Sequence, residues 1–430
     1  MLTVIKTLLA ANLVLFPVTA TSGQALFAAI GDYGDGSANE SDVAALVGGW
    51  NPDFIITLGD NRYGPTNLDE TVGQFYCNVL ADTGSGSYCS GGDSTVNAFF
   101  PALGNHDYSD GNGQSEYLNY FTLPGAGIPS SNSSGNERYY DVVMGPVHFF
   151  VLDSEGVLNS ASDKTAQMNW LQAQLAASTS TWRIVYFHHP PYSSATHGST
   201  PGMQWPFTAW GVDAVLSGHD HTYERIAADG IVYFVNGLGG RSIYAFNSAV
   251  PGSQLRYNGD YGAMRIDASD TAITFEFINV SGILIDSYTL QAAANAAPHA
   301  TFSFSCTGLD CDYTDSSTDS DGNVTGWSWD FGDGSHASAQ HPSHSFSTAG
   351  TYTVSLMVTD NDGATDATSH SVTVTSSSTG NSGGGGGCTL RGGTGSDPVW
   401  MFMLISCSLG LIKNALRGKQ RYPLALPEPY

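Results

Sequence analysis

Basic residues are scarce in this chain: 14 Lys+Arg stand against 39 Asp+Glu in 430 residues, a net charge of -25. Such a surface repels nucleic acid, so DNA or RNA is excluded as a partner. Cysteine is also sparse, with six in all, and none has zinc-site spacing. In an oxidising compartment Cys77 can pair with Cys89 across a Gly/Ser loop, and Cys306 with Cys311 across a short one. Cys388 and Cys407 fall outside the folded segments. Long apolar runs are missing too: Val399 to Ile412 is short for a full membrane span.

The chain nonetheless has much to bury. It is 41% hydrophobic and 11% aromatic, and its length suggests more than one domain. Residues 1–20 read as a secretory signal, with Lys6, an apolar Thr7 to Val18 and a small-residue cleavage site at Val18-Thr19-Ala20. Residues 24–291 mix apolar strand-like runs (Phe54 to Leu58, His148 to Leu152, Ile184 to Phe187) with helical patterns at Glu40 to Val47 and Lys164 to Leu175. Later strands are expected at Ile231 to Val235, Ala272 to Ile278 and Ile283 to Leu290. The fold class is α/β, a layered mixed β-sheet sandwich flanked by helices.

After an Ala-rich linker, residues 297–376 show short alternating strands with Asp-Gly turns at Asp321, Asp333 and Asp362, as in a small β-sandwich. Asp310, Asp312, Asp319 and Asp321 are either calcium ligands or, more usually for such residues, solvated turns. Residues 377–397 form a Gly/Ser linker, 398–412 a hydrophobic segment and 413–430 a basic tail. This tail reads as membrane-retained or processed, which implies a secreted or cell-surface protein.

Five segments end predicted strands in metal-binding residue types: Gly31-Asp32-Tyr33-Gly34, Gly59-Asp60-Asn61-Arg62-Tyr63, Gly104-Asn105-His106-Asp107, Phe187-His188-His189-Pro190 and Gly218-His219-Asp220-His221. Each alone is an ordinary turn. Together they supply seven oxygen and nitrogen ligands, enough for two cations of the iron, manganese or zinc type. The preceding glycines are expected to allow a sharp turn between strand and ligand. Two such ions can clamp the attacking and leaving oxygens of a phosphoryl transfer and generate hydroxide from water, so no serine or cysteine nucleophile is required.

These motifs resemble the calcineurin-like metallophosphoesterase family, and Tyr63 in the second motif resembles its purple acid phosphatase branch. The resemblance covers residues 26 to about 290, including Asn236-Gly237-Leu238-Gly239-Gly240. It implies that Asp32, Tyr63 and His221 bind a first metal, expected to be Fe(III), coloured by its tyrosine ligand. Asp60 then bridges, and Asn105, His188 and His219 bind Fe(II), Zn or Mn. His106 would assist the leaving group. His197 matches a second substrate-side histidine, and His189 is left out of the ligand set. The implied activity is an extracellular acid phosphatase acting on phosphate monoesters through a metal-bound hydroxide; a phosphodiesterase or nucleotidase is the alternative within the family. From another class, the alternative is a surface adhesin on a non-catalytic phosphatase scaffold.

Residues 297–376 resemble a PKD-type domain, an immunoglobulin-like β-sandwich. Trp327-Ser328-Trp329-Asp330-Phe331-Gly332-Asp333-Gly334, His344-Ser345-Phe346 and Gly350-Thr351-Tyr352-Thr353-Val354 carry that resemblance. It implies a spacer, or a binder of cell-surface polysaccharide or protein. The tail is similar in composition to bacterial C-terminal sorting signals.

Overall fold

The computed structural model describes residues 23–128 and 134–376. The signal-like segment 1–20, the linker 377–397, the hydrophobic segment 398–412 and the basic tail 413–430 lie outside the described residues. So do Cys388 and Cys407. Among the described residues no helix is long and apolar enough to cross a membrane. The chain divides into two compact units, with the main boundary in sequence between Ala297 and Pro298.

Among the described residues the first unit contains thirteen strands: β1 (Gln24–Ile30), β2 (Phe54–Thr57), β3 (Phe99–Pro101), β4 (Tyr140–Met144), β5 (Val147–Val151), β6 (Trp182–Tyr186), β7 (Ala214–Ser217), β8 (Tyr223–Ala228), β9 (Ile231–Asn236), β10 (Ser253–Tyr257), β11 (Gly262–Ser269), β12 (Ala272–Asn279) and β13 (Leu284–Gln291). They form a six-stranded sheet in the order β13-β12-β11-β1-β2-β3 and a seven-stranded sheet in the order β10-β8-β9-β7-β6-β5-β4. β1, β2 and β3 run parallel in one sheet, and β5, β6 and β7 run parallel in the other.

The two sheets face each other. Phe149 of β5 stands edge-on to Phe27 of β1 and Phe54 of β2, at ring-centroid distances of 5.1 and 5.5 Å. Alternation along β5 sends the next residue, Phe150, to the opposite face, where it packs with Leu171 and Leu175 of the helix Ala161–Ala177. The helix Ala38–Trp50 buries Val43 and Val47 in the main core. Both helices begin on serine caps, Ser37 and Ser160, whose hydroxyls accept an N–H three residues on. Every strand expected from an apolar run is present within one or two residues. β4, β8, β10 and β11 were not expected; β10 (SQLRY) pairs with β8 and alternates exposed Gln254 and Arg256 with half-buried Leu255 and Tyr257, which pack on the main core.

Among the described residues the second unit is all β: a three-stranded and a four-stranded sheet around fully buried Trp329, Val354, Leu356 and Val358. Trp329 and Phe331 point inward while Ser328 and Asp330 are exposed, the alternation a half-buried strand requires. Cys77–Cys89 and Cys306–Cys311 are both disulfides. Asp310 and Asp312 receive hydrogen bonds from Ser345 and Ser343 across the sheet, at 2.5 Å each. Among the described residues, no cation-sized group of acids forms in this unit.

Candidate metal centre

All five motifs sit just beyond the carboxyl ends of parallel strands. Asp32 follows β1, Asp60 follows β2, Asn105 follows β3, His188 follows β6 and His219 follows β7. In α/β sheets this rim is where ligand sites form, because loops from distant sequence positions converge there.

The backbone at the rim is strained. Only six non-glycine residues among those described have positive φ, and three are Asp32 (56°), Asp60 (55°) and His219 (69°). Strain persisting at three converging polar residues points to a functional arrangement. It also revises the role expected of the glycines. Of Gly31, Gly59, Gly104 and Gly218, only Gly59 is left-handed, with φ +91°. At Gly104 a Cβ would stand 2.2 Å from Asp60 Oδ1, and at Gly218 one would stand 2.5 Å from Asp32 Oδ2. At Asp32, Asp60 and His219 the left-handed turn is made by the ligand-type residue itself, and Gly104 and Gly218 let the Asp60 and Asp32 side chains approach.

The side chains gather in two overlapping groups. In one, the Tyr63 hydroxyl donates to Asp32 Oδ1 at 3.1 Å and lies 3.2 Å from His221 Nε2. In the other, His188 Nε2 lies 2.9 Å from Asn105 Oδ1, 3.1 Å from His219 Nδ1 and 3.4 Å from Asp60 Oδ2. Asp60 also contacts Tyr63, which places it between the groups. One donor atom each from Asp32, Asp60 and His188 lie within 4.8 Å of one another, and all three residues are buried.

The donor chemistry fits cations. His188 Nδ1 is 2.9 Å from the Leu58 carbonyl, which can only accept, so the ring lone pair is on Nε2, facing the cluster. Burial lowers the His188 pKa against the pull of Asp32, and burial and the neighbouring imidazoles lower that of His219, which favours neutral rings with lone pairs to offer a cation. Burial, with Asp32 and Asp107 nearby, raises the Asp60 pKa well above the carboxylate range. Buried carboxylates crowded against imidazole lone pairs need positive charge among them.

His106 lies at the edge of this cluster. Its N–H donates to Asp60 Oδ1 at 2.8 Å, its ring stands 4.4 Å from that of Tyr63, and its Nδ1 is 2.8 Å from Asp110 Oδ2. His197 is also brought in, stacked on His219 at 4.2 Å. Its loop, Ser193 to Pro201, is pinned: buried Asp220 accepts the backbone N–H groups of His197 and Gly198 at 2.8 and 3.1 Å. His189, outside the expected ligand set, has its ring tilted at 45° and 4.4 Å from that of His219, with Nδ1 2.9 Å from Ser154 Oγ and Nε2 3.5 Å from Glu155.

Three positioning residues were not singled out from sequence. Asp220 is one. Asp107 is another: its buried carboxylate accepts the N–H of Asn61 at 3.1 Å, the N–H of Gly104 at 2.8 Å and the side-chain amide of Asn61 at 2.8 Å, tying two ligand loops together. Ser242 is the third, with its hydroxyl 2.7 Å from His221 Nδ1. Asp107 and Asp220 lie inside the motifs, so an unassigned acid beside ligand-type residues was the available signal.

Residues 25–223 match the calcineurin-like phosphoesterase family, and residues 295–376 match the PKD domain. The chain is similar to tartrate-resistant acid phosphatase type 5 of Rattus norvegicus, at 26% identity over 311 residues, covering 62% of this chain and 92% of that protein. It is similar to purple acid phosphatase 3 of Arabidopsis thaliana, at 28% identity over 289 residues, covering 61% and 76%. The second unit resembles a segment of pre-pro-metalloprotease PrtV of Vibrio cholerae, at 39% identity over 80 residues, covering 19% of this chain and 9% of that protein. A buried Asp/His cluster at a strand-end rim, in a chain with these relatives, identifies a calcineurin-like metallophosphoesterase domain homologous to purple acid phosphatases, a hydrolase of phosphoric ester bonds followed by a PKD domain.

Proposed function

We propose that the chain is an extracellular acid phosphatase that hydrolyses phosphate monoesters at a dinuclear metal centre. The observation that carries this reading is the Tyr63 hydroxyl, buried within 3.2 Å of both Asp32 Oδ1 and His221 Nε2. A phenol in that position suits a hard trivalent ion, which deprotonates it as metals do coordinated thiols. Asp32, Tyr63 and His221 would hold Fe(III), Asp60 would bridge, and Asn105, His188 and His219 would hold Fe(II), Zn or Mn. Two cations held there supply Lewis acidity, activating water at low pH and neutralising phosphate oxygens.

The remaining work falls to the chain's own residues. Asp110 engages His106 Nδ1, which leaves Nε2 to hold a proton for the departing alcohol. Asp107 fixes the Asp60 and Asn105 loops against each other, and Asp220 fixes His197 beside His219. The secreted or surface location is supported by the apolar leader and by two disulfides, which persist in oxidising compartments. The PKD domain would tether the enzyme to surface polysaccharide or protein, with the C-terminal tail as a membrane attachment.

The test is the pH–rate profile of aryl phosphate hydrolysis, run beside an aryl phosphodiester and with His219→Ala as control. A monoester rate that peaks at acid pH and is lost in the variant is the expected result. A profile active only at neutral or alkaline pH, or faster on the diester, would replace this reading with a phosphodiesterase.

A further inference from the structure

Resting on the phosphatase reading, we propose that Arg241 selects phosphate esters whose leaving group carries a second negative charge. The residue belongs to a segment fastened to two ligand loops. The Gly239 N–H donates to the Gly31 carbonyl at 2.9 Å, the Arg241 N–H to the Asp32 carbonyl at 3.1 Å, and the Tyr244 N–H to the His221 carbonyl at 2.9 Å. The Arg241 backbone is thereby fixed against the rim of the site.

Its guanidinium lies 5.0 Å from the centroid of the Tyr63 ring, the ring whose hydroxyl reaches Asp32 and His221. The side chain is 47% exposed, and one nitrogen meets Asp35 Oδ2 at 3.3 Å. A guanidinium carries five N–H donors in a planar fork suited to carboxylate and phosphate, so most of its donor capacity faces solvent. The other arginine beside Tyr63 is unsuited to this role. Arg62 is buried, and its donors turn inward to the carbonyls of Gly64 and Thr66.

Charge elsewhere gives this one cation its effect. With 39 acidic against 14 basic residues, the chain's overall field disfavours polyanions. A fixed guanidinium at the mouth offsets that field locally, for a carboxylate or second phosphate placed next to the scissile group. Asp35 competes with such a group for Arg241. Its other oxygen accepts the Ser37 N–H at 3.0 Å, so it is held in place as a competitor.

Two esters that differ only in the added charge test this: phenyl phosphate and 3-carboxyphenyl phosphate, compared as a ratio of kcat/KM. Arg241→Gln should lower the ratio for the charged ester about fivefold, mostly through KM, the size of one partly exposed ion contact. Arg241→Lys should recover part of the loss. Asp35→Asn keeps an acceptor for Ser37 and should raise the ratio. In the wild type the ratio should fall with added salt. An unchanged ratio in both Arg241→Gln and Asp35→Asn overturns the assignment and leaves the phosphatase reading intact. A wild type that hydrolyses neither ester overturns both.

Discussion

Replacing Asp107 with alanine should loosen the metal centre without removing a ligand. The carboxylate is buried at 1% exposure and accepts three donors on two loops, from Asn61 and Gly104. In the variant those donors face no acceptor, at about 1–3 kcal/mol each. Two effects reduce the sum. Water enters part of the cavity, and the wild-type carboxyl is itself disfavoured, its pKa pushed up to about 6 by burial while the Gly104 and Asn61 donors and Arg62 pull it back. A net loss of ~2–4 kcal/mol follows, with Asp107→Asn smaller because its amide oxygen keeps some of the contacts. The activity consequence should be separable. Asp60 and Asn105 are held in register through this side chain, and losing such support for ligands costs about 10–100-fold in metal affinity. Guanidinium unfolding of the metal-stripped protein reads the first quantity, and titration of that protein with metal reads the second. Wild-type stability together with wild-type metal affinity would refute the positioning role.

Tyr63→Phe should fold normally, since only the hydroxyl is lost from a buried ring. The purified protein should lose its visible absorption band and bind iron more weakly at the first site, checked by absorbance and metal analysis. His106→Ala should lower kcat by about 10²–10⁴-fold on alkyl phosphates and far less on nitrophenyl phosphate, whose leaving group needs no proton; equal losses on both would count against the acid role. Glu40 gives a pH test. Burial raises its carboxyl to about 9, with the Gly36 and Asp35 N–H groups opposing and the Asp35 charge adding. The folded state therefore binds this proton more tightly than the unfolded chain does. Its stabilising contribution is complete below about pH 4.5 and is lost as pH rises towards 9. Glu40→Gln keeps an acceptor for the Asp35 and Gly36 N–H groups and removes the buried charge. It should gain ~2 kcal/mol or more over wild type at pH 8 and little at pH 4.5, read by denaturant unfolding at both values.

The sequence by itself determined the elements and the chemical inventory of the site. Phe54 to Leu58 and Ile184 to Phe187 are apolar runs whose strand character depends on near neighbours. The ligand-type residues follow such strands within two to four positions, Tyr63 within six, so their rim location is a local property. The Trp-Asp-Phe-Gly-Asp-Gly string and the spacings Cys77–Cys89 and Cys306–Cys311 are likewise short-range patterns that the structure realises. Contacts between distant residues were decided only by the tertiary structure. Asp107 meets Asn61 across 46 positions, and Arg241 meets Asp35 across 206. A single acid or arginine in a loop carries no periodicity that would reveal such a partner. The left-handed backbone at Asp32, Asp60 and His219 is of the same kind. Aspartate and histidine reach it more readily than most side chains but seldom on their own, and it persists here where packed loops surround each residue and glycines open the approach.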